Sequence, residues 1–322
     1  MPAAFAAPIA TVLNVALPVF AIILAGWLAG HRRMLGDGAT DALNGFVYFF
    51  ALPAVMLLGV ARRPLYEVLN WPFIGAFLGA MLAVYGLAWG LGWLLHRERP
   101  EILSMQALNA CFSNTGYMGI PLFMTAFGPE RLAPAILATI IMGTIMVGIA
   151  VVVLELYRSA GCGPLRALAD VGRALRRNPL ILATLGGMAL SLTGLPVPGP
   201  VVSFGTLIGA AAGPCALFAI GLFLAGRRLR ADMGEVAWIV LLKLVAQPLL
   251  TWYLAFVLLP VDRPWAEAAV ILAALPTGSL TFVVAAQYGI YIERTSAVIL
   301  VSTLASVVTL SIAMGLYVPR LP

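Results

Sequence analysis

Two stretches carry most of the polar chemistry of this chain. The first reads Asn109-Ala110-Cys111-Phe112-Ser113-Asn114-Thr115-Gly116-Tyr117-Met118-Gly119-Ile120-Pro121-Leu122. The second reads Ala274-Leu275-Pro276-Thr277-Gly278-Ser279-Leu280-Thr281-Phe282. In each, small hydrogen-bonding side chains meet a Gly/Pro break inside an apolar run. Pro121 and Pro276 lack an N–H and crowd the preceding turn. Gly116, Gly119 and Gly278 loosen the helix further. Unwound backbone cannot face lipid, so it lines a cavity or lies inside protein. The helix N-termini created by such breaks carry partial positive charge and unpaired N–H groups, which suit a carboxylate. The candidate substrate-binding residues are therefore Asn109, Ser113, Asn114, Thr115, Gly116 and Pro121 from the first stretch, with Pro276, Thr277, Gly278 and Ser279 from the second. The plainer alternative is that Ser, Thr and Asn join helices to one another, and that Pro276 is a kink eased by its Ser and Thr neighbours.

Lys243 and Gln247 extend the candidate set. Lys243 is the only lysine, it falls inside an apolar stretch, and Gln247 follows one turn later on the same helix face. An ionisable residue inside a membrane is a functional candidate by default. Yet Lys243 lies only about 9 residues, or roughly 13 Å, from the end of its stretch, within snorkelling reach of the interface. If functional, it neutralises a substrate carboxylate or takes the place of a coupling cation. Glu155 reads as interfacial, and no other Asp or Glu lies well inside an apolar stretch. His31 and His96 fall in loops beside Arg. A proton relay usually needs a buried carboxylate or His, so a cation/proton antiporter is disfavoured.

The chain has no HExxH, GxSxG or phosphate-binding loop, and no paired Asp in neighbouring apolar stretches. No catalytic residue is assigned and no enzyme is expected. Cys111, Cys162 and Cys215 are far apart, so neither a disulfide framework nor a metal site is expected. No cofactor is called for.

The elements that must hold these residues follow from composition. Of 322 residues, 62% are hydrophobic and 10% charged, against about 25% charged in a soluble domain. Mean hydropathy is +1.02. Lipid must be the solvent for much of the surface. The net charge of +6 comes from Arg in short loops between apolar runs. That placement fits the positive-inside rule, and no nucleic-acid partner is expected.

Apolar stretches long enough to span run over 9–30, 40–61, 70–95, 103–127, 132–157, 179–195, 201–226, 234–259, 266–288 and 292–318. The first lacks the basic flank of a signal peptide and reads as an uncleaved helix. With ten spans both termini share one side. Thirteen Arg fall on the opposite side and five on the terminal side. The richer side is cytoplasmic, so both termini face away from the cytoplasm of an inner (plasma) membrane.

The expected fold is an all-α membrane protein of ten transmembrane helices. Residues 1–157 form a first five-helix repeat, 158–178 a basic cytoplasmic linker, and 179–322 a second, inverted five-helix repeat. Leu165 to Leu175 is either a short interfacial helix or a simple tether. Phe50-Ala51-Leu52-Pro53 with Arg62-Arg63 is matched in position by Ala212-Gly213-Pro214 with Arg227-Arg228. The Asn114–Pro121 break is matched by Pro276-Thr277-Gly278. Inverted repeats with Gly/Pro-interrupted helices at corresponding places mark secondary transporters and point to the binding site.

These motifs carry a family resemblance. Asn44-Gly45-Phe46-Val47-Tyr48-Phe49-Phe50-Ala51-Leu52-Pro53-Ala54 resembles the second-span motif of the auxin efflux carrier family. Asn114 to Leu122 resembles its fourth-span signature. Leu275-Pro276-Thr277, with Phe282, Ala285-Ala286 and Tyr288-Gly289, is similar to its ninth. The likeness covers nearly the whole chain. The long hydrophilic loop of plant PIN-type exporters is absent. The short central loop is similar to that of bacterial members, often labelled malonate or malate transporters.

The resemblance implies a fold like that of bile-acid symporters and sodium/proton antiporters, with broken helices 4 and 9 crossing near the midplane. It implies that spans three to five and eight to ten move as an elevator against a scaffold of spans one, two, six and seven, through which a homodimer forms. Substrate contacts would map to the Asn114 region, Pro121 and Pro276-Thr277. The expected activity is secondary transport of a small carboxylate such as malonate or malate, with auxin-like acids as further candidates. The membrane acids that hold sodium in related folds have no match here, so the coupling ion stays open between H+ and Na+. A membrane sensor that binds a ligand without moving it is the competing reading.

Overall fold

Capping residues and prolines start the helices where the apolar runs begin. The Asn70 side chain accepts a hydrogen bond from the Phe73 amide at 2.9 Å. Asp232 accepts one from the Gly234 amide at 2.9 Å. Each satisfies an amide that a helix start leaves unpaired. Pro72, Pro100, Pro134 and Pro264 sit in first turns, where the missing N–H costs nothing.

The protein is represented by a computed structural model that describes residues 18, 20–36, 38–62, 69–158, 179–225 and 232–317. These residues form α1 (Phe20–His31), α2 (Ala39–Ala61), α3 (Trp71–His96), α4 (Pro100–Cys111), α5 (Ile120–Phe127), α6 (133–158), α7 (Pro179–Thr193), α8 (Gly199–Ala225), α9 (Met233–Leu258), α10 (Arg263–Ala273), α11 (Leu280–Tyr288) and α12 (Ile292–Tyr317). By length and composition α2, α3, α8, α9 and α12 are long and apolar enough to cross a membrane. The predicted stretches 103–127 and 266–288 are each broken, into α4 and α5 and into α10 and α11. The start of the first predicted stretch, most of the 158–178 linker with Cys162, and Arg63, Arg227, Arg228, Arg230 and Arg320 lie outside the described residues, as does the side chain of Glu155.

Glycine lets α1, α2, α7 and α8 pack backbone to backbone. A methyl group on Gly221 of α8 would lie 2.0 Å from the Ile23 carbonyl oxygen of α1, and one on Gly187 of α7 would lie 2.7 Å from that of Leu57 in α2. Lipid tails are as apolar as Leu, so helices in a bilayer associate through such close packing. A second group forms as α3, α4, α6, α9, α10 and α12 contact one another. The groups meet where the second half of α8 packs on residues 115–127. There a Cβ on Gly213 would touch the Pro121 ring at 3.3 Å. Large apolar side chains such as Leu207, Leu192 and Trp71 remain mostly exposed on the outside, as a lipid-facing surface requires.

Two carboxylates are more deeply placed than their sequence positions indicate. Glu235 lies in the first turn of α9 and Glu267 in the second turn of α10, yet both are buried. Glu267 pairs with Arg263 at 3.0 Å. Glu235 accepts hydrogen bonds from the Gln106 amide and the Tyr291 hydroxyl, and pairs with Arg294 at 2.9 Å. Arg294 in turn reaches Glu98 at 3.5 Å. The partners of Glu235 arrive from α4, from α12 and from Tyr291 just before it, which is why its burial was invisible along the chain. Tyr291 has a positive φ of 58°, uncommon for a bulky residue, and its bond to Glu235 holds it there. Burial, and then the neighbouring Glu235 carboxylate, push the Tyr291 phenol above its ordinary range, so it stays a donor.

Candidate functional site

The two helix breaks meet each other. Residues 113 and 277 form an isolated antiparallel bridge. The Asn114 amide donates to the Pro276 carbonyl at 2.9 Å, and the Gly278 amide donates to the Phe112 carbonyl at 2.9 Å. Side chains complete the joint. The Thr277 hydroxyl donates to the Asn109 carbonyl at 2.9 Å, while the Thr277 amide donates to the Ser302 hydroxyl of α12 at 3.1 Å. The Asn109 side chain donates to the Met105 carbonyl at 2.8 Å and to the Thr295 hydroxyl at 3.0 Å. Asn109, Ser113 and Thr277 are fully buried. Buried backbone groups must find partners, and here each break supplies them to the other.

A wide turn over Thr115–Gly119 restarts the first broken helix. The Asn114 carbonyl accepts from the Met118 and Gly119 amides at 3.1 and 2.9 Å. Wide turns of this kind concentrate at functional sites. Thr115 is buried and Gly116 half-buried within it, and Pro121 follows in the first turn of α5. Ser279, half-buried, precedes α11. The first amides of a helix have no acceptor within it, so both restarts present N–H groups and partial positive charge at the joint.

Lys243 and Gln247 serve the opposite helix ends. Lys243 is fully buried, and its ammonium donates to the Ala273 carbonyl at 2.8 Å. That overturns the snorkelling alternative: the side chain points across to α10 rather than along its own helix to the interface. Gln247 is also fully buried; its amide donates to the Cys111 carbonyl at 2.9 Å and reaches the Ser113 hydroxyl at 3.4 Å. Cys111 and Ala273 are the last residues of α4 and α10, where carbonyls lack partners and carry partial negative charge.

A cavity of about 480 Å³ opens beside the joint. Asn114 and Ser279 line it, with Tyr117, Leu280 and Phe282 from the same segments. Thr40, Asp41, Asn44 and Tyr48 of α2 and Phe223 of α8 line the facing wall. The cavity therefore lies between the two groups of helices. Of the residues singled out in the sequence, Asn114 and Ser279 reach its wall. Asn109, Ser113, Thr115, Gly116, Pro121, Pro276, Thr277, Gly278, Lys243 and Gln247 build the joint behind it.

The α2 wall was missed as a site. Its signal was present: Thr40, Asn44 and Tyr48 recur every four residues, placing three polar groups on one helix face. Among the described residues, Asp41 is the one charged side chain on the cavity wall, and no basic side chain lines it.

Comparison with known proteins places the chain among transporters. The family described as Membrane transport protein matches residues 11–162 and 164–314. A protein of Rhizobium meliloti (strain 1021) named "Putative malonate transporter" is 33% identical over 303 residues, covering 94% of this chain and 94% of its own length. "Uncharacterized transporter YfdV" of Escherichia coli (strain K12) is 23% identical over 95% of this chain and 96% of its own. An "Uncharacterized transporter" of Methanothermobacter thermautotrophicus is 26% identical over 91% of this chain and 94% of its own.

Proposed function

The chain belongs to the Membrane transport protein family, that of the auxin efflux carriers, and we propose that it is a secondary carrier of small carboxylates, malonate foremost. It is a multi-pass membrane protein of a transporter family, and a small-molecule substrate follows from that membership. The observation that carries the finer reading is the cavity at the joint, walled by Asn114 and Ser279 on one side and by Asn44 and Tyr48 on the other.

The electrostatics favour an anion of modest charge. The helix restarts at Thr115 and Leu280 carry partial positive charge and adjoin the cavity-lining Asn114, Tyr117 and Ser279. Lys243 and Gln247 occupy the negative helix ends behind it, so those ends do not oppose the substrate. With Asp41 on the wall and no basic side chain there among the described residues, the carboxylate is held by N–H, amide and hydroxyl donors. Such a site binds a small acid and can also let it go.

The proposed architecture is ten spans in two inverted five-helix repeats, residues 1–157 and 179–322, with the broken helices crossing near the midplane. The group of α1, α2, α7 and α8 is the scaffold and dimerises. The other group, which carries the joint, moves as an elevator. The proposed setting is the inner (plasma) membrane with both termini on the non-cytoplasmic side. Thr40 and Asp41 lie in the first turn of α2, a few residues after the basic His31-Arg32-Arg33. By the positive-inside rule that end is cytoplasmic, so the cavity faces inward. The transition to the outward state shifts the joint past α2 and α8.

Uptake of radiolabelled malonate into proteoliposomes tests this reading. The expected result is saturable flux, competed by malate and driven by an imposed proton or sodium gradient. Malonate binding with no flux under either gradient would replace the carrier by a ligand sensor.

A further inference from the structure

The lone lysine of the membrane interior is spent on a helix end, not on the cavity. Lys243 projects from a wide turn at Leu242–Ala246 in α9. Its ammonium meets the carbonyl of Ala273, the residue on which α10 stops. One turn on, Gln247 meets the carbonyl of Cys111, the residue on which α4 stops. A single face of α9 therefore answers both carbonyl ends of the broken helices. The last carbonyls of an interrupted membrane helix are a natural cation site, since they are unpaired, partially negative and shielded from water. In transporters with discontinuous helices, such ends commonly coordinate a coupling ion.

We propose that Lys243 is a tethered cation that fills this site from within, so that the joint is held together without bound sodium. This rests on the carrier reading only for its consequence in transport; the structural part stands on the buried contacts. The ammonium supplies one fixed positive charge where a free ion would otherwise enter and leave. The Lys243 Nζ then occupies that end at all times, and sodium gains no differential affinity between conformations. A ligand without such a difference cannot drive the change. Of the two coupling ions left open by the sequence, Na+ is thereby excluded from this position.

Thermal melting of the purified protein without substrate tests the site directly. Wild type is expected to melt at the same temperature in sodium chloride and in N-methylglucamine chloride. Lys243→Ala removes Cγ, Cδ, Cε and Nζ, the atoms of a propylammonium ion. This variant should melt several degrees lower and recover most of the loss in propylammonium chloride. Lys243→Met, which removes the charge and keeps the volume, should melt lower and show no recovery. A sodium-specific rise in the wild-type midpoint overturns the proposal, whether or not either variant folds. Wild-type melting by Lys243→Ala in N-methylglucamine, or equal recovery of both variants in propylammonium, overturns it as well. In proteoliposomes, wild-type malonate uptake should be the same with N-methylglucamine replacing sodium on both sides. Absence of uptake in both salts counts against the carrier reading, whereas uptake that requires sodium counts against the tethered cation.

Discussion

Replacing Asn114 with alanine weakens malonate binding roughly ten- to a hundredfold and leaves the fold intact. The magnitude is that of losing hydrogen bonding to a charged group, about 1.5–3 kcal/mol, at about 1.4 kcal/mol per tenfold in affinity. Its fold-holding contacts are made by the backbone, whose amide donates to Pro276 and whose carbonyl accepts from Met118 and Gly119. Alanine keeps all three. The side chain is on the cavity wall, and that is what the substitution removes. Asn114→Asp should bind still more weakly, because it sets a carboxylate against the substrate's own. Calorimetric titration beside a melting curve separates the two effects. An unchanged affinity in Asn114→Ala removes this residue from the site.

Gly278→Ala lowers stability by about 1–3 kcal/mol, the usual range for forcing an extra carbon into a packed interior, and abolishes uptake. The added Cβ would lie 2.8 Å from two ring carbons of Phe112 and 3.2 Å from the Asn114 Cα. The ring is confined beside the joint, and the backbone cannot retreat without giving up the Gly278 bond to Phe112. Gly116→Ala is the matched control. Its added carbon would meet Thr139 at 3.5 Å and Leu52 at 3.9 Å, which is ordinary contact, so melting should be unchanged. Equal melting temperatures for the two variants would mean that the joint yields where the packing says it cannot.

That pair of glycines illustrates how far the residues could be read in advance. In the sequence, Gly116 and Gly278 look alike: each follows a polar residue at a break in an apolar run. Only the approach of Phe112 and Asn114 makes one indispensable and leaves the other room. Lys243 is a similar case. Along the chain its distance from the helix end left snorkelling and function equally open. The arrival of Ala273 from another helix, 30 positions later, decided for burial. Glu235 was passed over because it stands in a first turn, and its partners Gln106, Tyr291 and Arg294 come from sequence-distant elements.

The sequence by itself determined that this protein lives in a bilayer, that its apolar runs are helices, and that two of them must break at Asn114–Pro121 and Pro276–Gly278. Those conclusions depend on local quantities: the hydrophobicity of a run, the missing N–H of proline, the cost of unwound backbone in lipid. It also sufficed for the family, because the motifs are contiguous. The tertiary structure alone decided the division of labour among the polar residues. Which side chains reach a cavity, and which only close the hydrogen bonds of another break, depends on helices meeting across 30 to 168 positions of chain. Asn109, Thr277, Lys243 and Gln247 were legible as important. Their place behind the cavity, and that of Asn44 and Tyr48 on its far wall, follow from packing that no spacing encodes.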